Sequence, residues 1–352
     1  MIDLHAHVVL DATLGAAGRY GPELDEGDPT TGRPPCYRVG DYELLGVRYR
    51  DSAFMDVELR LAQMDERGID LQVLSPNPLT FLHHVDAHTA IEFGRRHNDA
   101  LAAVVAQHPD RLAGLAQLPM QAPTDAVAEL RRSVTQLGLL GAYIGTDLGR
   151  PLDDPAFDDV YATCVELDVP LFIHPAPGDI DAPRRDERLA RFDGDLWLGF
   201  AHEEALAVAT LVLGGVLARH PTLDVCISHG GGATSWLVER MRHAAATRPW
   251  ASPELRREGA VDELLARLWW DAHVGGPDAL AVLIAAQGTD RLVGGTNFAG
   301  WDQTADPSFG DRSWPRSLTA TPAACCAWSP ERAQQAEVDG PDLTARLEPR
   351  EK

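Results

Sequence analysis

Basic charge is scarce in this sequence: 31 Lys and Arg stand against 53 Asp and Glu, a formal net charge of −22 at pH 7. An acidic surface of that size repels nucleic acid and anionic membranes, so neither is an expected partner. It says nothing of an active site, where a metal or an arginine can reverse the field locally. Cysteine is sparse too. Cys36, Cys164, Cys226, Cys325 and Cys326 make five, an odd number with no C-x-x-C spacing. That fits a reduced compartment better than a disulfide framework. No run of about 18 uncharged apolar residues occurs, so no membrane span is expected. The opening MIDLHAHVVL lacks a basic stretch ahead of its apolar run and does not read as a signal peptide. A cytoplasmic location is the expectation. No G-x-G-x-x-G follows the first apolar run, which removes the usual mark of a dinucleotide fold.

What is present is a rhythm. Eight short apolar runs recur: 2–9, 69–75, 112–119, 139–146, 169–175, 223–229, 268–273 and 291–298. Between them lie amphipathic stretches of helical length at 56–67, 124–137, 155–167, 203–219, 234–246 and 277–287, with Thr124 placed as an N-cap. Strands alternating with helices imply parallel βαβ units, and eight such units predict an α/β fold closed as a (β/α)8 TIM barrel. An open doubly wound sheet is the alternative. The chain has 352 residues and is 45% hydrophobic, enough for one large domain. Residues 1–302 are assigned to the barrel. Residues 11–55, rich in Gly, Pro and charge, form an insertion after the first strand, expected as a functional or mobile loop over the barrel mouth. Residues 303–352 carry six prolines, from Pro307 to Pro349, and are expected to form an irregular tail.

The chemistry concentrates at strand ends. In Asp3-Leu4-His5-Ala6-His7, alternation sends both histidines to one side of the strand. Two imidazoles on one side are costly to bury unless something uses them, and a divalent metal does. A hydrogen-bonded pair of strand-end histidines is the competing account. His174 ends the fifth run and His229 the sixth, where a barrel places its active site. Gly230, Gly231 and Gly232 let the backbone after His229 turn tightly against a ligand. After the eighth run, GGTNFAGWD puts Asn297 where a carboxylate ligand is expected. An amide oxygen can ligate, more weakly for lack of charge, and Asp302 is a substitute. Trp270, Asp271 and His273 end the seventh run as pocket-lining candidates. His83, His84 and His88 read as a solvated loop cluster or as mouth residues. His97, His108, His220 and His243 need only surface roles, and Glu204 opens a helix where a carboxylate suits the dipole.

The D-x-H-x-H start, the I-H-P at 173–175, the S-H-G-G-G at 228–232 and the G-T-x-F at 295–298 resemble the amidohydrolase superfamily. More narrowly they resemble its aminocarboxymuconate-semialdehyde decarboxylase-like (amidohydrolase 2) branch. Phrases such as MDERGIDLQVLSPNP (64–78) and GGVLARHPTLDVCISHGGG (214–232) agree, and the likeness runs over roughly residues 1–302. It implies a (β/α)8 barrel with one divalent metal, zinc first and manganese second, held by His5, His7, His174 and the strand-eight position, Asn297. His229 would be the general acid/base. Arg50 or Arg48 would bind a substrate carboxylate, with Trp270 and Phe298 beside it. A homodimer is implied. The sequence departs from the family twice: Asn297 stands in place of Asp, and the tail lacks the closing N-A-x-x-L helix.

Three functions are therefore in view. The first is metal-dependent non-oxidative decarboxylation of a small aromatic or enoic carboxylic acid. The second is hydrolysis or hydration through a metal-activated water. The third, prompted by Asn297, is a weakly active or non-catalytic relative that binds a small anionic ligand.

Overall fold

A computed structural model describes residues 1–177, 187–298 and 300. The chain opens with β1 (Ile2–Val8), followed by β2 (Glu23–Asp25), β3 (Cys36–Val39) and β4 (Tyr42–Leu45). Then come α1 (Val57–Glu66), β5 (Leu71–Pro76), α2 (Ala87–Gln107), β6 (Leu112–Gly114), β7 (Ala116–Gln117) and α3 (Pro123–Thr135). Next are β8 (Ala142–Gly145), α4 (Asp158–Leu167), β9 (Leu171–His174), α5 (Phe200–Leu213), α6 (Val216–Arg219) and β10 (Val225–Ile227). The described elements end with α7 (Thr234–Thr247), α8 (Ala260–Leu265), β11 (Trp269–Asp271), α9 (Pro277–Gln287) and β12 (Leu292–Val293).

Two parallel ladders run β1-β5-β6 and β7-β8-β9-β10-β11-β12. β6 and β7 are halves of one strand interrupted at Leu115. The Leu115 amide donates to Leu74 at 2.9 Å, and the Ala116 amide to Gly141 at 2.9 Å, so the ladders join there. At the other edge Leu4 N donates to Gly294 O at 2.8 Å and His7 N to Phe298 O at 2.8 Å. Phe298 N returns to His5 O at 3.2 Å. These contacts close eight strands into the TIM barrel. One side chain from each strand fills the interior: Leu4, Val73, Leu115, Tyr143, Phe172, Cys226, Trp269 and Val293. A larger apolar layer lies between strands and helices. Fully burying each Val, Leu, Ile or Phe contributes about 1.5–3 kcal/mol.

Several elements differ from expectation. The insertion is not a loop: β2, β3 and β4 form an antiparallel sheet, with Tyr37 opposite Leu24 and Leu44. Its buried Tyr37, Val39 and Tyr49 pack on Leu79, Leu82 and Phe93. Thr124 does not cap α3. The cap position is Ala122, and Pro123 takes the first turn, where its missing N–H costs nothing. The stretch 203–219 divides at Gly215, which adopts φ +81. The α2 helix, which no predicted segment covers, buries His97 rather than exposing it.

Segment Arg191–Leu213, ending in α5, is the one described helix long and apolar enough to cross a membrane. α5 turns Ala207, Val208, Leu211 and Val212 into the barrel's outer layer. The predicted tail 303–352 and Asp302 lie outside the described residues.

Candidate active site

The ends of β1, β9 and β10 bring four imidazoles together. Ring centroids are 5.0 Å apart for His5 and His7, 4.9 Å for His5 and His174, 4.9 Å for His7 and His174, and 4.9 Å for His174 and His229. Every pair meets edge to face. The β1–β5 register shifts between Asp3 and Ala6: three steps along β1 match two along β5. Such a bulge re-aims side chains, and here it sits beneath His5.

The outer nitrogen of each ring is tied down. His5 Nδ1 lies 2.7 Å from Asp271 Oδ2. His7 Nδ1 donates to Pro76 O at 3.2 Å, and His174 Nδ1 to Pro175 O at 2.5 Å. A carbonyl only accepts, so both rings carry their proton on Nδ1 and turn an Nε2 lone pair inward. The His5 and His7 Nε2 atoms lie 3.3 Å apart. His174 Nε2 is buried with no hydrogen-bond partner. Burial, reinforced by His229, pushes the His7 pKa down to about 3 and that of His174 well below its ordinary value, so neither ring charges near neutral pH. Lone pairs converging in a buried space repel one another unless a cation lies between them, so the residues present fit a divalent metal. Nitrogens of His5, His174 and His229 lie within 4.8 Å of one another. Asn297, at the strand-eight position, is buried with φ +47 and lines the same cleft as His7.

His229 follows β10 in a left-handed conformation, φ 44 and ψ 39. For a non-glycine residue this stores strain of about 1–3 kcal/mol, and it aims the ring into the cluster. Its Nδ1 lies 2.6 Å from Glu204 Oε1, and its backbone amide donates to Asp271 Oδ2 at 3.1 Å. Glu204 also accepts from the Ser228 hydroxyl. Burial pushes the Glu204 carboxyl up from its ordinary value, while His229 and the Ser228 hydroxyl oppose that rise. Sequence reasoning assigned Glu204 to a helix dipole and Asp271 to the pocket wall. Each instead holds a site histidine. Their signal was weak: Glu204 lies on an otherwise apolar helix face, and Asp271 at a strand end.

A cleft of about 460 Å³ opens over His7, His174 and Asn297. Tyr42, Leu44 and Tyr49 from the insertion, with Leu196 and Phe200, form its apolar wall. A wider cleft of about 1110 Å³ reaches His229, Glu204 and His273 from the other side, past Trp197 and Trp236.

Four expected substrate contacts sit elsewhere. Arg48 is exposed. Arg50 is engaged at the surface by Glu26 at 3.0 Å and Asp11 at 3.3 Å, and lines neither cleft. Phe298 is 1% exposed beneath the Arg60 guanidinium, 4.5 Å from its ring centroid. Trp270 lies directly under Gly231, where any Cβ would meet its ring at 2.5 Å. Both aromatics are needed as packing, because the strand ends close on them. His83, read from sequence as part of a solvated loop cluster or as a mouth residue, is buried, and its Nε2 accepts from Gly145 N at 3.0 Å.

One further network supports β1. Asp3 accepts from Gln72 at 2.7 Å and from the Thr296 hydroxyl at 2.7 Å. Arg60, 1% exposed, donates to Gln72 at 2.6 Å and to His7 O at 2.6 Å. Burial pulls the Arg60 pKa down to about 9, countered by Asp3.

A sequence model of the family described as Amidohydrolase matches residues 2–324. The chain is 30% identical over 304 residues to 2-amino-3-carboxymuconate-6-semialdehyde decarboxylase of Dictyostelium discoideum, spanning 84% of this chain and 81% of that one. It is 35% identical over 218 residues to gamma-resorcylate decarboxylase of Rhodococcus jostii, spanning 57% and 64%. Among solved structures, dihydroxybenzoic acid decarboxylase from a Polaromonas species, with bound manganese and the inhibitor 2-nitroresorcinol, superposes with TM-score 0.67. Identity there is 25%, covering 95% of this chain and 96% of that one.

Proposed function

This chain belongs to the amidohydrolase family, and from that premise we propose that it is a metal-dependent non-oxidative decarboxylase of a small aromatic or enoic carboxylic acid. One observation carries the reading: four imidazoles converge, three with outer nitrogens tied to Asp271, Pro76 and Pro175, and the fourth, His229, set against Glu204.

His5, His7 and His174 are proposed to hold the ion, with the Asn297 amide oxygen beside His7. Zinc is the first choice, and the manganese in the Polaromonas enzyme makes it the second. A bound dication supplies Lewis acidity and a positive field for the substrate's oxygens. His229 is the proton donor. Glu204 holds its Nδ1, so the exchangeable proton sits on Nε2, facing the substrate. That proton passes to the carbon bearing the carboxylate. The carbon–carbon bond then breaks, its electron pair stays with the substrate, and CO2 leaves. Tyr42, Leu44, Tyr49 and Phe200 exclude water from the cleft, which strengthens each electrostatic contact.

Two further readings accompany this one. The rim bearing Trp236, 80% exposed, and Trp197, 57% exposed, is proposed as the face of a homodimer. Cysteine usage supports a cytoplasmic location. The decisive experiment is product analysis. Purified protein with metal is incubated with aromatic carboxylates in 18O-water, and CO2 and labelled products are measured. CO2 release is expected, lost in His229→Asn by about 10²–10⁴-fold. Incorporation of solvent oxygen without CO2 would instead identify a hydrolase or hydratase.

A further inference from the structure

Among the described residues, negative charge at this site lies behind the rings, not among them. Asp271 Oδ2 faces His5 Nδ1 at 2.7 Å and His229 N at 3.1 Å, and its Oδ1 accepts from His273 N at 3.1 Å. Glu204 Oε1 faces His229 Nδ1 at 2.6 Å. Both carboxylates thus grip the outer nitrogens of rings whose inner nitrogens turn toward the site. Among the described residues, the proposed ligands His5, His7 and His174 are all imidazoles, and the nitrogens that lie within 4.8 Å of one another, on His5, His174 and His229, belong to imidazoles alone. The Asn297 amide beside His7 adds no charge.

The cleft above has a matching deficiency. Neither Lys nor Arg lines it, nor the wider cleft that reaches His229. An anionic substrate entering either therefore meets no lysine or arginine side chain among the described residues. Its carboxylate would be desolvated against tyrosine, leucine and phenylalanine with no lysine or arginine to offset the cost, which leaves the ion as its main countercharge. Conversely, a dication held only by neutral donors keeps more residual charge than one with a carboxylate among its ligands. An incoming anion then gains correspondingly more.

We infer that the substrate's own oxyanion supplies the first negatively charged donor to the ion, so that metal and anionic ligand bind with positive cooperativity, and that Asn297 is the residue that sets this coupling. The inference rests on the metal-centre reading given under Proposed function. Coupling is reciprocal: whatever factor the anion adds to metal affinity, the metal adds to anion affinity. An aspartate at 297 would place a fixed negative charge at the ion, tightening metal on its own and removing most of the anion's advantage.

The test is isothermal titration of Mn2+ and, separately, Zn2+ into the full chain stripped of metal by chelator. Titrations run with buffer, with saturating γ-resorcylate, and with resorcinol, which has the same ring without the carboxylate. They are corrected for metal bound by the additive in solution. γ-Resorcylate is expected to lower the metal Kd by about 10–100-fold, and resorcinol by less than about threefold. In Asn297→Asp the metal alone should bind tighter, and the γ-resorcylate effect should shrink to less than about threefold. An unchanged metal Kd with γ-resorcylate, full coupling retained in Asn297→Asp, or no metal uptake under any condition would each overturn the inference. The decarboxylase reading fails separately: coupling without CO2 release removes that activity and leaves the cooperative site standing.

Discussion

The Glu204 carboxylate lies 2.6 Å from His229 Nδ1, the carboxylate buried and the imidazole side chain 13% exposed, where α5 meets the turn after β10. This pair fixes which nitrogen of His229 faces the substrate and places an anion beside any charge the ring takes up. Glu204→Gln keeps the shape and removes the charge. It should lower kcat about 10–100-fold with little change in KM. The alkaline limb of the pH–rate profile, where the donor loses its proton, should also move to lower pH, because the imidazolium loses its neighbouring anion. An unchanged kcat and an unmoved limb together would show that Glu204 only packs.

His174 offers the cleanest test of the metal centre, since its Nε2 is buried without a hydrogen-bond partner and its Nδ1 is held by Pro175. Changes behind metal ligands already cost about 10–100-fold in affinity, so His174→Ala should cost at least that much. Elemental analysis of purified protein reads the result. Metal content equal to that of the parent would remove His174 from the ligand set.

Arg60 is a buried cation that holds the carbonyl of His7 and, through Gln72, faces Asp3. Removing it leaves the buried Asp3 charge without its counterpart, a loss of about 3–5 kcal/mol. Urea denaturation of Arg60→Met should show this as a lower midpoint at unchanged slope. A loss below about 1 kcal/mol would mean that the Thr296 and Gln72 contacts suffice for Asp3.

His97 lies buried on α2, away from the histidine cluster, and burial pushes its pKa down to about 4 from an ordinary value of 6.5. The unfolded chain therefore binds this proton before the folded one does. Stability is full above pH 6.5, is lost as pH falls toward about 4, and loses nothing further from this group below that. The whole shift is worth about 3 kcal/mol. Calorimetry from pH 7.5 to pH 4 should give a shallower fall in Tm for His97→Gln than for the parent. Parallel curves would refute the assignment.

Much of the barrel was legible because its strands repeat a simple physical pattern. All eight apolar runs contain a strand or part of one, since β-branched runs bounded by Gly and Pro have few other uses. The misses share a cause. β3 and β4 carry charged and polar residues on their exposed faces, so the insertion looked like a loop until Tyr37 and Val39 found Leu79 and Phe93 to pack against. Arg50 resembled a carboxylate binder by position, yet Asp11 and Glu26, close by in the folded insertion, engage it first.

His5, His7, His174 and His229 were determined by sequence alone: their places at strand ends suffice to predict a metal-type cluster. Asn297 was also visible as the uncharged corner. Only the tertiary structure decided where the compensating charge goes. Glu204 comes from a helix and Asp271 from the seventh strand, and nothing in local sequence couples either to a histidine 25 or 266 positions away. Barrel closure brings them behind the rings, because a buried imidazole N–H must find an acceptor and these carboxylates are the ones the fold delivers.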